Sequence, residues 1–110
     1  RPWRLSADVV AELTETAPGR FRVAGDLNLQ TVVPLAAAGR RLAASGGPVE
    51  VDLGGVRQGS SAGVALLLEW TDQVRRAGGS LRFTHWPEAL VRIADFSNVD
   101  GLLGIHDIGD

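Results

Sequence analysis

Polar and apolar residues alternate along three short stretches of the chain and recur at spacings of three and four along three longer ones. Phe21-Arg22-Val23-Ala24, Val49-Glu50-Val51-Asp52-Leu53 and Leu81-Arg82-Phe83-Thr84 each put apolar side chains on one face and polar or small ones on the other. That two-residue period predicts strands with one wet face. Between the first two, Val32, Leu35, Gly39 and Leu42 mark one face of a helix. Thr31 is its expected N-cap, which places Pro34 in the first turn, and Ser45-Gly46-Gly47-Pro48 stops it. A second helix is expected from Ser61 to Ala77, ended by Gly78-Gly79. Trp86-Pro87 opens a third, with Pro87 in the favoured first position; it runs to about Phe96 with Leu90, Ile93 and Ala94 inward.

The ends are less regular. Val9 to Leu13 reads as a first strand, turning through Thr14–Gly19 into the Phe21 strand as a hairpin. Ser97-Asn98 is a turn, Val99 to Ile105 a last helical turn, and His106–Asp110 a frayed tail.

Strands covered by helices on both faces read as unbroken apolar runs. These do not, so the helices belong on one face only. The order β-β-α-β-α-β-α then predicts an α/β (α+β) mixed sheet with right-handed parallel crossovers. A doubly wound nucleotide fold is disfavoured. With 110 residues, 45% hydrophobic and 22% charged, residues 1–110 are expected to form a single domain with its core at about 9–105.

Composition narrows the chemistry. The absence of cysteine removes disulfides, thiolate metal sites and cysteine nucleophiles, and fits a reducing compartment. Net charge is −2 with no basic stripe, which argues against nucleic acid. The longest apolar run, Val64 to Leu68, is far short of the ~20 residues of a membrane span. The start lacks the apolar core of a signal peptide, so a cytoplasmic location is expected. Without methionine, the chain is expected to begin inside a longer product or to be trimmed.

The second helix carries more apolar surface than its core face needs. At about 100° per residue, Gly63, Leu66, Leu67, Trp70, Val74 and Ala77 share one sector, and Glu69, Asp72 and Arg76 lie opposite. Ala65 and Leu68 fall on the outer side and Val64 at the border. A single outward leucine needs no explanation. The loop before it, Arg57-Gln58-Gly59-Ser60-Ser61-Ala62-Gly63, makes the patch more telling. Its small residues leave backbone open to approach, and either serine is a suitable cap for a helix start that favours negative charge. Gly59, Ser60, Ser61, Gly63, Val64 and Leu68 are therefore the expected docking surface.

Catalysis and metal binding find little support. Gly59-Ser60-Ser61-Ala62-Gly63 mimics G-x-S-x-G, and His85 is expected at the same strand end, but the domain is too small for the usual hydrolase sheet and offers no covered cleft. His106, Asp107 and Asp110 are a solvated tail before they are a metal site. Trp3, Trp70 and Trp86 read as core or edge residues and not as a ligand cage. No catalytic residue, metal or cofactor is assigned.

The segment DLGGVRQGSSAGVALLLEW resembles the signature of STAS domains, the fold of bacterial anti-sigma factor antagonists. In that family a strand ending in Asp-Leu leads to Asp-Ser-Ser/Ala-Gly-Leu at a helix start. Ser61 falls at the phosphorylatable serine or threonine, Gly63 at the glycine and Val64 at the leucine. Phe21–Leu27, Val33-Pro34-Leu35, Ala65–Leu68, Gln73 and the Gly78-Gly79 break are similar to the MlaB-type STAS subunits of Mla phospholipid transporters. The resemblance spans roughly residues 20–104. It implies a non-catalytic subunit that binds and supports the MlaF-like ATPase of an ABC transporter. Such a subunit is held at the inner face of the inner membrane through that partner, without inserting, and serves outer-membrane lipid asymmetry. Ser60 replaces the family's acidic residue, a departure that weighs against the alternative, an anti-sigma factor antagonist switched by phosphorylation at Ser61.

Overall fold

The computed structural model describes residues 11–96. The elements are β1 (Ala11–Ala17), β2 (Arg20–Asp26), α1 (Leu29–Ala43), β3 (Pro48–Gln58), α2 (Ser61–Arg76), β4 (Ser80–Thr84) and α3 (Glu88–Phe96). The strands form one sheet in the order β1-β2-β3-β4. The first pair is antiparallel and the other two are parallel, which gives the mixed sheet that the element order predicts.

The alternation along the strands accounts for the layering. Phe21, Val23, Val49, Val51, Leu53 and Phe83 are buried to 3% exposure or less and share one core with Leu42, Leu67, Trp70 and Leu90 of the helices. The other face stays wet. There Arg20 lies beside Glu50 and Arg22 beside Asp52 in the parallel register of β2 and β3. Both pairs approach to 3.6 Å. Half-solvated pairs of this kind add little stability; they mark the face that none of the described helices covers.

Several boundaries move. β1 continues to Ala17, so the expected turn shrinks to Pro18-Gly19. β3 runs on past Leu53 to Gln58 because Ala24, Gly25 and Asp26 of β2 pair with Gly55, Val56 and Gln58 across two register shifts. α1 is capped by Asn28, not Thr31. The Asn28 side chain accepts from the backbone N–H groups of Gln30 (2.9 Å) and Thr31 (3.1 Å). The buried Thr31 hydroxyl accepts from the Asn28 N–H and donates to the Asp26 carbonyl, closing a capping box. Pro34 is consequently past the first turn, where it deletes one helix hydrogen bond. Pro87 precedes α3 instead of opening it, since its carbonyl accepts from Leu90 and Val91. Leu90 and Ala94 are buried as expected, while Ile93 is only half-buried and Ala77 is exposed. Trp70 is core, and Trp86 packs edge-on against Phe83 with ring centroids 5.4 Å apart. Val9, Trp3 and the expected elements after Phe96 lie outside the described residues.

Candidate functional site

The junction from β3 to α2 is built by a close meeting of three elements. Gly59 and Gly63 bring the chain against the β2–α1 junction and α3. A Cβ on Gly59 would lie 2.5 Å from Cδ2 of Leu90, and one on Gly63 would lie 3.0 Å from Cβ of Leu27. Both glycines therefore serve internal packing, which accounts for the missing side chain at each without a partner. Ser60 has the extended backbone of an N-cap, and its carbonyl accepts from Gly63 and Val64. Its hydroxyl does not cap the helix. It donates to the Leu27 carbonyl at 3.0 Å and ties the start of α2 to the end of β2. The acidic residue of the family motif is thus replaced here by an internal tether.

Ser61 is exposed, at the first position of α2. The N–H groups of Ser61 and Ala62 have no partner among the described residues. They are two of the donors that every helix start leaves free, and no acid sits in this first turn to answer them.

The apolar part of the expected surface shifts. Val64 is 4% exposed and belongs to the core. Leu68 is half-buried and packs against the same core. The physical reason is that α2 is flanked twice, by α1 on one side and α3 on the other. Val64, Leu68 and the buried Thr71 share the flank away from α1, so the buried arc is wider than one sheet-facing sector. Leu68 is therefore a poor probe of docking, because a charge there strains the fold as well.

The exposed apolar surface lies instead on the α1 side. Leu29 and Val33, one turn apart on α1, are 78% and 71% exposed. They border a groove of about 410 Å³ whose recessed wall is Val32, Ala36, Ala62 and Leu66, with Ala65 and Glu69 on the far edge. Scattered apolar residues are ordinary on a surface, whereas a contiguous concave strip is the usual form of a contact site. Leu29 and Val33 fall outside the Val32–Leu35–Gly39–Leu42 stripe that marks the core face. The signal was their own i, i+4 spacing, continued by Ala36.

The serine, histidine and aspartate do not assemble. His85 Nδ1 lies 3.0 Å from Asp52 Oδ1, which also accepts from the Gly54 N–H at 2.7 Å. This pair sits on the wet face, level with the middle of β3, since Asp52 is in register with Thr84. From there β3 runs six more residues to Gln58, roughly 20 Å at the rise of an extended chain. The expected nearness of His85 to Ser61 is lost because the strand is longer than its alternation suggests. Among the described residues no group of three or more His, Cys, Asp or Glu could hold a metal. No described helix is long and apolar enough to cross a membrane.

A mixed four-stranded sheet with three helices in this order is the STAS fold. The anti-sigma factor antagonist SpoIIAA in its unphosphorylated form has this fold, at TM-score 0.60 and 14% identity, over 79% of this chain and 83% of that one. It is among nineteen matching chains of solved structures. The family model described as "Mlab, STAS domain" matches residues 10–104, and the chain belongs to that family. No curated protein matches the sequence. STAS domains mediate protein–protein interaction.

Proposed function

We propose that the chain is the STAS subunit of an Mla-type phospholipid ABC transporter, a docking protein and not a catalyst. It binds the cytoplasmic ATPase subunit, is held at the membrane through it, and supports its assembly in maintaining outer-membrane lipid asymmetry. The observation that carries this reading is the exposed Ser61 at an acid-free helix start, in a chain whose family model bears the Mla label. A helix start of this kind receives a partner's carboxylate or backbone carbonyl. The tether from Ser60 to Leu27, in place of an acidic residue, favours constitutive docking over a phosphorylation switch.

Ser61→Glu tests it. A carboxylate at this position satisfies the helix start from within and repels a partner's carboxylate. Folding stability is expected to hold or rise by about 0.3–1 kcal/mol, while co-purification with the ATPase subunit is lost; Ser61→Ala should still bind. Undiminished co-purification of Ser61→Glu would contradict the assignment. So would a stoichiometric phosphate on Ser61 after incubation with an anti-sigma kinase and ATP, read by intact mass.

A further inference from the structure

The layer formed by α1 and α2 is apolar at one end and basic at the other. Neither helix has an acid in its first turn, and each has two arginines in its last, Arg40 and Arg41 on α1 and Arg75 and Arg76 on α2. The acids on this face are already engaged. Glu69 accepts from the Gln73 side chain at 3.0 Å, and Asp72 pairs with Arg76. α1 carries no acid at all. Arg40 has no partner among the described residues and lines a second concavity with Ala43, Gln73 and Ala77, further along the same two helices. Leu29, Val33, Ala36 and Arg40 therefore follow one line at i, i+4, i+7 and i+11, three apolar positions and then an unpaired cation.

We infer that this line is the seat of an amphipathic helix of the ATPase partner. Its apolar side fills the groove between α1 and α2, and an aspartate or glutamate at one end meets Arg40. The inference rests on the function proposed above and adds α1 to the docking surface, together with the chemistry of the segment that binds there. Side chains at this spacing form a ridge along α1, and the groove beside such a ridge is the shape into which another helix packs. The charge pattern selects the partner. A second copy of this chain would have to pair about a two-fold axis. With the α1 helices antiparallel, Arg40 and Arg41 of each copy would face the positive, acid-free start of the other; with them parallel, Arg40 would face Arg40. Both arrangements repel. A flat bilayer would reach Leu29 and Val33 but leave the recessed alanines uncovered.

The test is binding of the purified ATPase subunit to the full chain and its variants by calorimetry. Leu29 and Val33 are exposed enough that aspartate there leaves the fold intact, which circular dichroism checks. Leu29→Asp/Val33→Asp is expected to weaken binding about 30-fold or more, as loss of a central anchor does. Arg40→Glu is expected to weaken it about tenfold at low salt and less at high salt. Ala89→Asp, on the exposed side of α3, should bind like the parent. A photo-crosslinker at Val33 should map to one ATPase helix bearing an acid. If the parent binds the ATPase and the groove variants bind equally well, this inference falls and the proposed function stands; if the parent does not bind, both fall. Self-association in sedimentation, or adhesion to phosphatidylglycerol vesicles, that Leu29→Asp/Val33→Asp abolishes would overturn it in favour of a second copy or of lipid.

Discussion

Trp70→Ala should cost about 3–5 kcal/mol of folding stability, a large share of the 5–15 kcal/mol of a domain this size. The indole is fully buried where α2 meets α1, and its Nε1 donates to the Leu35 carbonyl at 3.0 Å. Alanine leaves a cavity against Gly39 of α1 and removes a bond that joins the two helices forming the groove. Urea unfolding should show a lower midpoint with an unchanged slope. A loss under 1 kcal/mol would mean that the two helices do not depend on this contact. Because the groove is made by those helices, ATPase binding should also weaken, in contrast to Ser61→Glu, which spares the fold.

Gly59→Val is expected to cost about 1–3 kcal/mol through overpacking. Its Cβ would stand 2.5 Å from Leu90 Cδ2, and Leu90 is completely buried and cannot step aside. The sign of the coupling is the sharper part of this prediction. Leu90→Ala alone leaves a hole, but in Gly59→Val it makes room. The double variant should therefore be more stable than the sum of the two single losses implies. Simple additivity would show that Gly59 is not held against α3. The outcome separates a glycine that packs the junction internally from one kept free for a partner.

Much of this architecture is legible in the chain because strand alternation is a strong local signal. Glu50 and Asp52 between Val49, Val51 and Leu53 told of a sheet with one bare face, and Arg20, Arg22, Glu50 and Asp52 cover that face with ion pairs. What stayed hidden depends on contacts far apart in sequence. The end of β3 carries Gly54-Gly55, which reads as a loop until β2 pairs with it. Thr31 suits a cap as well as Asn28 does, three residues earlier, but its hydroxyl is engaged by Asp26 and Asn28. Val64 looked marginal and Leu68 outward because a single helix wheel contains no α3. Leu29 and Val33 were missed for the opposite reason. The face they occupy becomes a groove only once Ala62 and Ala65 of α2 stand across from them. The position of Ser61 was legible throughout, since a strand end, small residues and a long apolar helix fix it locally.

Hydrogen exchange of the chain alone and with the ATPase subunit tests the docking surface most directly. In the free chain the N–H groups of Ser61 and Ala62 have no acceptor among the described residues and should exchange fast. On complex formation exchange should slow there and at the start of α1 from Leu29 to Ala36, with the open sheet face around Arg22, Asp52 and His85 unchanged. Protection confined to that sheet face, with Ser61 and Ala62 exchanging as fast as before, would contradict it.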